Sequence, residues 1–329
     1  MFRYYAWALA TKGLSLMPGG GMLYYGAASV LKRRVRGSGG DFAGGSSVSE
    51  LLLKAKDLTP AGGTILDIGT GLYHHDAFLL YLAGDWQVEL FDIRDRAKLT
   101  YIRNYLGYLR DNVQATAAAL GVNADGVQEK LDELLALPSR EAIYDRCNFG
   151  LHIEPDPTKP FLPDGSVNFM LSNCVLVHVR EDVLLDELLS LRRMLADDGF
   201  MFHMLGHDDH GAHHDPKMRQ PSFNYMRFSD RTYRLLFDSN LGEYHNRMTK
   251  SEWLHVFARA DLRVLEYDGR ISERSCEAVS ELPRIDARFA QFPAEELAIY
   301  YSYVLLDKGL EADPFGRSGE RAHAVVETV

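Results

Sequence analysis

The sequence predicts an α/β fold built on a doubly wound, mostly parallel sheet, and three observations predict it. Residues 64–71 (TILDIGTG) join an apolar run to a turn with two glycines, the pattern of a buried strand feeding a tight turn and then a helix. Short apolar runs and segments of helical period then alternate along the chain, which favours parallel strands joined by crossover helices. Leu184, Leu188, Leu191 and Leu195 mark one face of such a helix between the apolar runs 167–172 and 200–205.

The elements follow in order. The N-terminal segment is apolar and aromatic, but Lys12, Pro18 and Gly19–Gly21 interrupt it, so one or two short covering helices are expected. A membrane span needs about 20 continuous apolar residues, and no signal-peptide cleavage pattern follows. Weak peripheral contact with a membrane surface stays open. Residues 37–46 (GSGGDFAGGS) read as a linker, 49–58 as a helix, and 64–68 as the first strand. A helix is expected at 76–83 and a second strand at 87–93. Residues 97–148 hold more helical pattern than a crossover needs and read as an insertion. Strands at 149–154, 167–172, 200–205, 262–266 and 298–306 bring the expected sheet to seven. A second insertion covers about 206–248. Residues 1–48 thus form a cap and linker, 49–308 the main domain, and 309–329 a flexible tail.

Composition bounds the function. The chain has 329 residues, 46% hydrophobic and 25% charged, in the ordinary globular range. Its net charge of −10 argues against nucleic acid as the main partner. The basic run Lys32–Arg36 is short and reads first as a solvated helix end. Three widely spaced cysteines (Cys147, Cys174, Cys276) offer no disulfide framework and suit a reducing, cytoplasmic compartment.

Two acids carry the ligand reading. Asp67 stands two places before Gly69, with Gly71 following. A pyrophosphate docks on backbone N–H groups at a helix N-terminus, where a fixed negative charge is unwelcome. An acid there suits a cationic ligand, such as an ammonium or a sulfonium. Asp92 falls 23 positions after Gly69 at the end of the second strand. A carboxylate about 20 residues after such a turn can accept both hydroxyls of a ribose, the alternative being a cap for the next helix.

Four segments in order, LDIGTG (66–71), ELFDI (89–93), KPFLPDGSVNFMLSNCVLVHV (159–179) and LRRMLADDGFMFHM (191–204), resemble the class I S-adenosylmethionine-dependent methyltransferase family. The resemblance runs over about residues 60–205 and more weakly to 306. It implies a Rossmann-like sheet and S-adenosylmethionine as cofactor but says little about the substrate, for which a small molecule or glycan is expected here. It implies that Asp67, Gly69 and Gly71 line the methionine end of the cofactor and that Asp92 holds the ribose. Asp156, with Glu154 behind it, would meet the adenine amino group, and Asn173 would sit where cofactor and substrate meet. Three positions depart from the family pattern: Tyr73 replaces a third glycine, Asn168 an acid, and Asp198 a glycine. The residues at 74 and 75, both histidine, could then lie near the ligand.

Methyl transfer to a hydroxyl needs a base or a metal to take or acidify its proton. Five of the 12 histidines (203, 207, 210, 213, 214) fall within twelve residues after the fifth strand, at the edge where open α/β sheets bind ligands. His207 or His210 could act as base with Asp208 or Asp209 orienting the ring. The cluster could instead hold a divalent metal, or form a polar loop of local hydrogen bonds. His178, at the start of the helix after strand four, is a further candidate to touch the acceptor. An NAD(P)-dependent oxidoreductase on the same sheet and a non-catalytic cofactor-binding adaptor are the alternatives. The spacing of GTGLYHHD lacks the GxGxxG pattern the first of these needs.

Overall fold

The computed structural model describes residues 2–20, 23, 45–209, 221–237 and 244–309. Seven strands form one sheet: β1 Thr64–Ile68, β2 Gln87–Asp92, β3 Phe149–Ile153, β4 Val167–Asn173, β5 Leu195–Gly206, β6 Arg263–Arg270 and β7 Tyr301–Asp307. Their spatial order is β3-β2-β1-β4-β5-β7-β6, with β7 alone reversed against its neighbours. The doubly wound, mostly parallel Rossmann-like architecture expected from the sequence is therefore present.

Side-chain alternation divides the core between the two faces. Ile65, Leu90, Leu171 and Phe202 face one way, against α2 (Gly45–Leu58), α3 (His75–Ala83) and the helices of the first insertion. Leu66, Ile68, Met170 and Met201 face the other way, against α8 (Glu181–Met194) and α10 (Lys250–Arg259). The insertion folds as four helices: α4 (Leu99–Asp111), α5 (Val113–Leu120), α6 (Ala124–Ala136) and α7 (Arg140–Cys147). Beyond β5 a small separate core of Phe223, Tyr225, Phe228, Tyr233 and Phe289 gathers around α9 (Asp230–Leu236) and α12 (Ala287–Ala290), with α11 (Glu273–Ser280) and α13 (Ala294–Leu297) alongside. Its centre is Arg247, which lies over the Tyr233 ring at 3.9 Å, donates to the Phe228 carbonyl, and pairs with Asp230 at 2.6 Å.

Several boundaries differ from expectation, and three of the larger shifts have a local reason. α2 begins at Gly45 rather than Ser49, so the end of the glycine-rich stretch is helical. β5 begins at Leu195, because Leu195 already pairs with Val167 across an irregular step in β4. Gly199 does not open the strand; it lets β5 pass close to β4, since a Cβ there would stand 2.9 Å from the Asn168 carbonyl oxygen. β6 runs on to Arg270, beyond the expected Glu266, because β7 pairs with it along its whole length. Most of the linker 37–46, and the tail after Gly309, lie outside the described residues. Among the described residues, no helix is long and apolar enough to cross a membrane.

Candidate active site

The site is built at the carboxyl edge of β1, β2 and β4. Asp67, next to last in β1, is held between Leu90 of β2 and Leu171 of β4 in the middle of the sheet. It is 3% exposed, and its Oδ2 has no hydrogen-bond partner among the described residues. Burial pushes its carboxyl well above the usual range, the neighbouring Asp76 adds to the shift, and a hydrogen bond from Thr70 opposes it. Asp76, in the first turn of α3, is itself buried. Two buried acids thus interact unfavourably, and among the described residues Asp67 has no basic partner. Such an arrangement is costly unless a cation sits between them.

The glycine turn follows. Gly69 (φ 71°) and Gly71 (φ 67°) adopt the left-handed backbone that glycine alone takes at little cost. At Gly69 a Cβ would also stand 2.4 Å from Val175, in the turn after β4. The Gly69 and Thr70 amides donate to the Phe91 carbonyl of β2, and the Gly71 amide donates to Asp92 Oδ2 at 3.1 Å. Asp92 Oδ1 accepts from the Arg94 amide at 3.1 Å. Asp92 therefore ties the turn to β2, while a carboxylate with about four acceptor directions keeps capacity for a diol. Ile93 (41% exposed) and Ile153 (39%) present apolar side chains beside it, a feature the sequence reading missed.

Tyr73 and His74 replace the third glycine with a lock. His74 takes the left-handed conformation (φ 49°), an unusual state for a histidine, and is 1% exposed. Its Nδ1 lies 2.7 Å from Thr70 Oγ1 and its Nε2 lies 2.5 Å from the Tyr144 hydroxyl on α7. Burial pulls its pKa down to about 4, so the ring is neutral. Tyr73 packs edge-on to Tyr101 and against Tyr105, both on α4. The first insertion thus braces the turn. His74 faces inward rather than toward the ligand, and His75 Nδ1 lies 3.2 Å from Asp76 Oδ1.

The remaining sequence-derived residues divide. Asn173 ends β4 at this edge, and Cys174 follows it with φ 55°. Asp156 is engaged in its own turn: Oδ1 accepts from the Thr158 amide and hydroxyl, and Oδ2 lies 3.3 Å from Lys159 Nζ. Glu154 accepts from the Asp156 amide. His178 closes a short 3-10 turn (Leu176–His178) after β4, is exposed, and donates from Nδ1 to the Tyr244 carbonyl at 2.7 Å. That bond fixes the tautomer, leaving the lone pair of the neutral ring on Nε2.

His207 stands elsewhere. It continues the alternation of Met201, His203 and Leu205 and so lies on the α8/α10 side of the sheet, opposite Asp67. Nδ1 donates to the Met248 carbonyl at 3.2 Å, and Nε2 lies 2.7 Å from Ser302 Oγ. Burial lowers its pKa to about 4. Asp208 interacts electrostatically with both His207 and Cys174. Asp209 is buried, and its amide donates to the Ser222 carbonyl. His210, His213 and His214 lie outside the described residues. Among the described residues, no three His, Cys, Asp or Glu side chains are grouped to hold a metal.

Asn168, the second departure, accepts from the Thr64 amide at 2.9 Å and ties β4 to the start of β1 at the far edge of the sheet. A shallow depression lined by Asp57, Pro60, Asn168 and Asp198 occupies that same far edge, away from the glycine turn.

No family model and no curated protein matches the chain. Among solved structures, it is similar to geranyl diphosphate C-methyltransferase from Streptomyces coelicolor A3(2), at 13% identity and a TM-score of 0.44, over 80% of this chain and 78% of that one. It is also similar to phosphoethanolamine N-methyltransferase 2 from Haemonchus contortus, at 12% identity and a TM-score of 0.43, over 80% of this chain and 53% of that one.

Proposed function

We propose that this protein is an S-adenosylmethionine-dependent methyltransferase that methylates a hydroxyl of a small molecule or glycan. The observation that carries the reading is the pair of buried acids, Asp67 and Asp76, with Asp67 Oδ2 unsatisfied, under a turn whose second glycine is held by Asp92. That donor set fits a ligand with an ammonium and a sulfonium at one end and a ribose at the other. It repels a pyrophosphate. Asp67 would face the cationic end, Asp92 the ribose, and Ile93 with Ile153 the flat face of the base. Asp156, already bonded within its turn, would serve the adenine end by fixing the loop after β3. The three cysteines are free, as suits a reducing cytoplasmic setting.

When bound, the cofactor supplies an electrophilic methyl group. The protein's task is then to position the acceptor in line and to take its proton. His178 is the residue best placed for the proton: it is exposed at the carboxyl end of β4, with Nδ1–H fixed by the Tyr244 carbonyl and the lone pair on Nε2. For His207 we infer a structural role, supported by its burial and its interior contacts with Met248, Ser302 and Tyr267. His210 stays a second base candidate.

Methyl-labelled S-adenosylmethionine, incubated with the protein and a panel of glycosides and small hydroxylated acceptors, tests the reading. Transfer of label supports it; hydride transfer from NAD(P)H in place of methyl transfer overturns it. With an acceptor in hand, His178→Ala is expected to lower kcat about 10²- to 10⁴-fold with cofactor affinity retained. His207→Ala is expected to lower stability by about 1–3 kcal/mol, with kcat of the folded protein kept. Full activity in His178→Ala would remove that residue from the mechanism.

A further inference from the structure

The N-terminal segment of this chain is basic in sequence, and its described residues expose apolar side chains. Residues 1–40 contain six basic side chains (Arg3, Lys12, Lys32, Arg33, Arg34, Arg36) and no acid, in a protein of net charge −10. The described part of this segment is α1 (Phe2–Ser15) and the turns after it, and α1 packs against α9 of the cap beyond β5. Lys12 Nζ donates to the Arg234 carbonyl at 3.3 Å, which joins the two helices.

The surface they share is apolar where it meets solvent. Leu9 is 58% exposed, Leu16 75%, Met17 56% and Leu23 60%, and Leu235 on α9 is 69% exposed. These are five of the most exposed large apolar side chains described, and basic residues border them: Lys12 on α1, and the exposed Arg231 and Arg234 on α9. The acid of α9, Asp230, is already paired with Arg247 and Arg288 and lends no net negative charge to this face. The basic run Lys32–Arg36 lies outside the described residues and enters only through its charge.

Exposed leucine and methionine beside Lys12, Arg231 and Arg234, on a protein of net charge −10, complement one kind of surface: apolar just below, anionic at the top. We propose that α1, the turn after it and α9 form a docking face for the headgroup region of an anionic lipid bilayer, with Leu9, Leu16, Met17 and Leu235 entering the interface. Binding there combines buried apolar area with attraction of each basic residue to anionic lipid, so it is reversible and weakened by salt. The face belongs to the cap at the carboxyl edge of the sheet, the edge that also carries Asp67 and Asp92.

The test is co-sedimentation of the full chain with vesicles. With phosphatidylcholine–phosphatidylglycerol vesicles in about 0.1 M salt the protein is expected in the pellet; with phosphatidylcholine alone, or in about 0.5 M salt, it is expected in the supernatant. Leu16→Asp with Leu235→Asp is expected to weaken partitioning more than tenfold. Arg231→Glu with Arg234→Glu is expected to weaken it at least fivefold per residue. All four positions are exposed, and thermal melting of both variants verifies folding. Absence of binding to anionic vesicles, or equal binding to both vesicle types, overturns the proposal. So does concentration-dependent dimerisation in light scattering that Leu16→Asp with Leu235→Asp abolishes, which would assign the face to a second copy of the chain.

Discussion

At the scale of single residues, the site rests on groups held in states they would not choose alone. His74 adopts a left-handed backbone, is buried without charge, and spends both ring nitrogens on Thr70 and Tyr144. Removing the phenol hydroxyl in Tyr144→Phe leaves one of those nitrogens without a partner. The expected cost is about 1 kcal/mol in stability, together with several-fold weaker binding of S-adenosylhomocysteine, because the turn loses its brace. Denaturant unfolding and calorimetry check the two effects, and an unchanged affinity would show that the lock is merely structural. Asp67, Gly69, Gly71 and Asp92 were legible in the sequence because a strand followed by a glycine turn brings them together within one crossover. The role of His74 was not: its partner Tyr144 lies 70 positions away, and nothing in a local pattern signals a histidine with positive φ. His207 misled for a related reason. Its place after β5 was right, but alternation along the strand turns it to the α8/α10 face, and a run of histidines does not say which of them faces inward.

At the scale of elements, α8 carries a polar residue in an apolar stripe. Glu187 is 2% exposed, its Oε2 has no partner among the described residues, and burial alone lifts its pKa to about 8. In the unfolded chain the same group titrates near the ordinary 4.5. The folded state therefore holds the proton more tightly, and stability is lost as pH rises from about 4.5 to about 8. Glu187→Gln, which keeps the shape and removes the titration, is expected to be more stable than the parent at pH 8 by on the order of 3 kcal/mol. At pH 5 the difference should nearly vanish. Urea unfolding at the two pH values measures this, and parallel curves for both proteins would remove Glu187 as the cause. The order of elements was readable because apolar runs and helical stripes alternate cleanly between residues 64 and 205. Their ends were less readable. The early start of β5 depends on Leu195 pairing with Val167, a contact between strands that no local propensity contains.

At the scale of the whole molecule, three neutral imidazoles lie in the interior: His74 and His207 with pKa lowered to about 4 and His203 to about 3, desolvation being the leading cause in each. Each must take up a proton on unfolding in acid, so their contribution is present at neutral pH and is lost as pH falls from about 6.5 toward 4. At pH 5 the expected loss is on the order of 2 kcal/mol for each, partly offset by Asp67 and Glu187, whose raised pKa values act in the opposite sense. Chemical denaturation between pH 7 and pH 5 should show the decline, and a flat profile would mean that these rings reach water. Under the proposed function, the seven-stranded sheet, its two buried faces and its carboxyl edge present Asp67 and Asp92 to one cationic, ribose-bearing ligand. Isothermal titration of S-adenosylhomocysteine into the protein and its Asp67→Asn variant tests that claim most directly. Saturable binding to the parent, binding at least about tenfold weaker in the variant, and no heat with NAD are expected. Binding of NAD in preference to S-adenosylhomocysteine, or an affinity unmoved by Asp67→Asn, would contradict it.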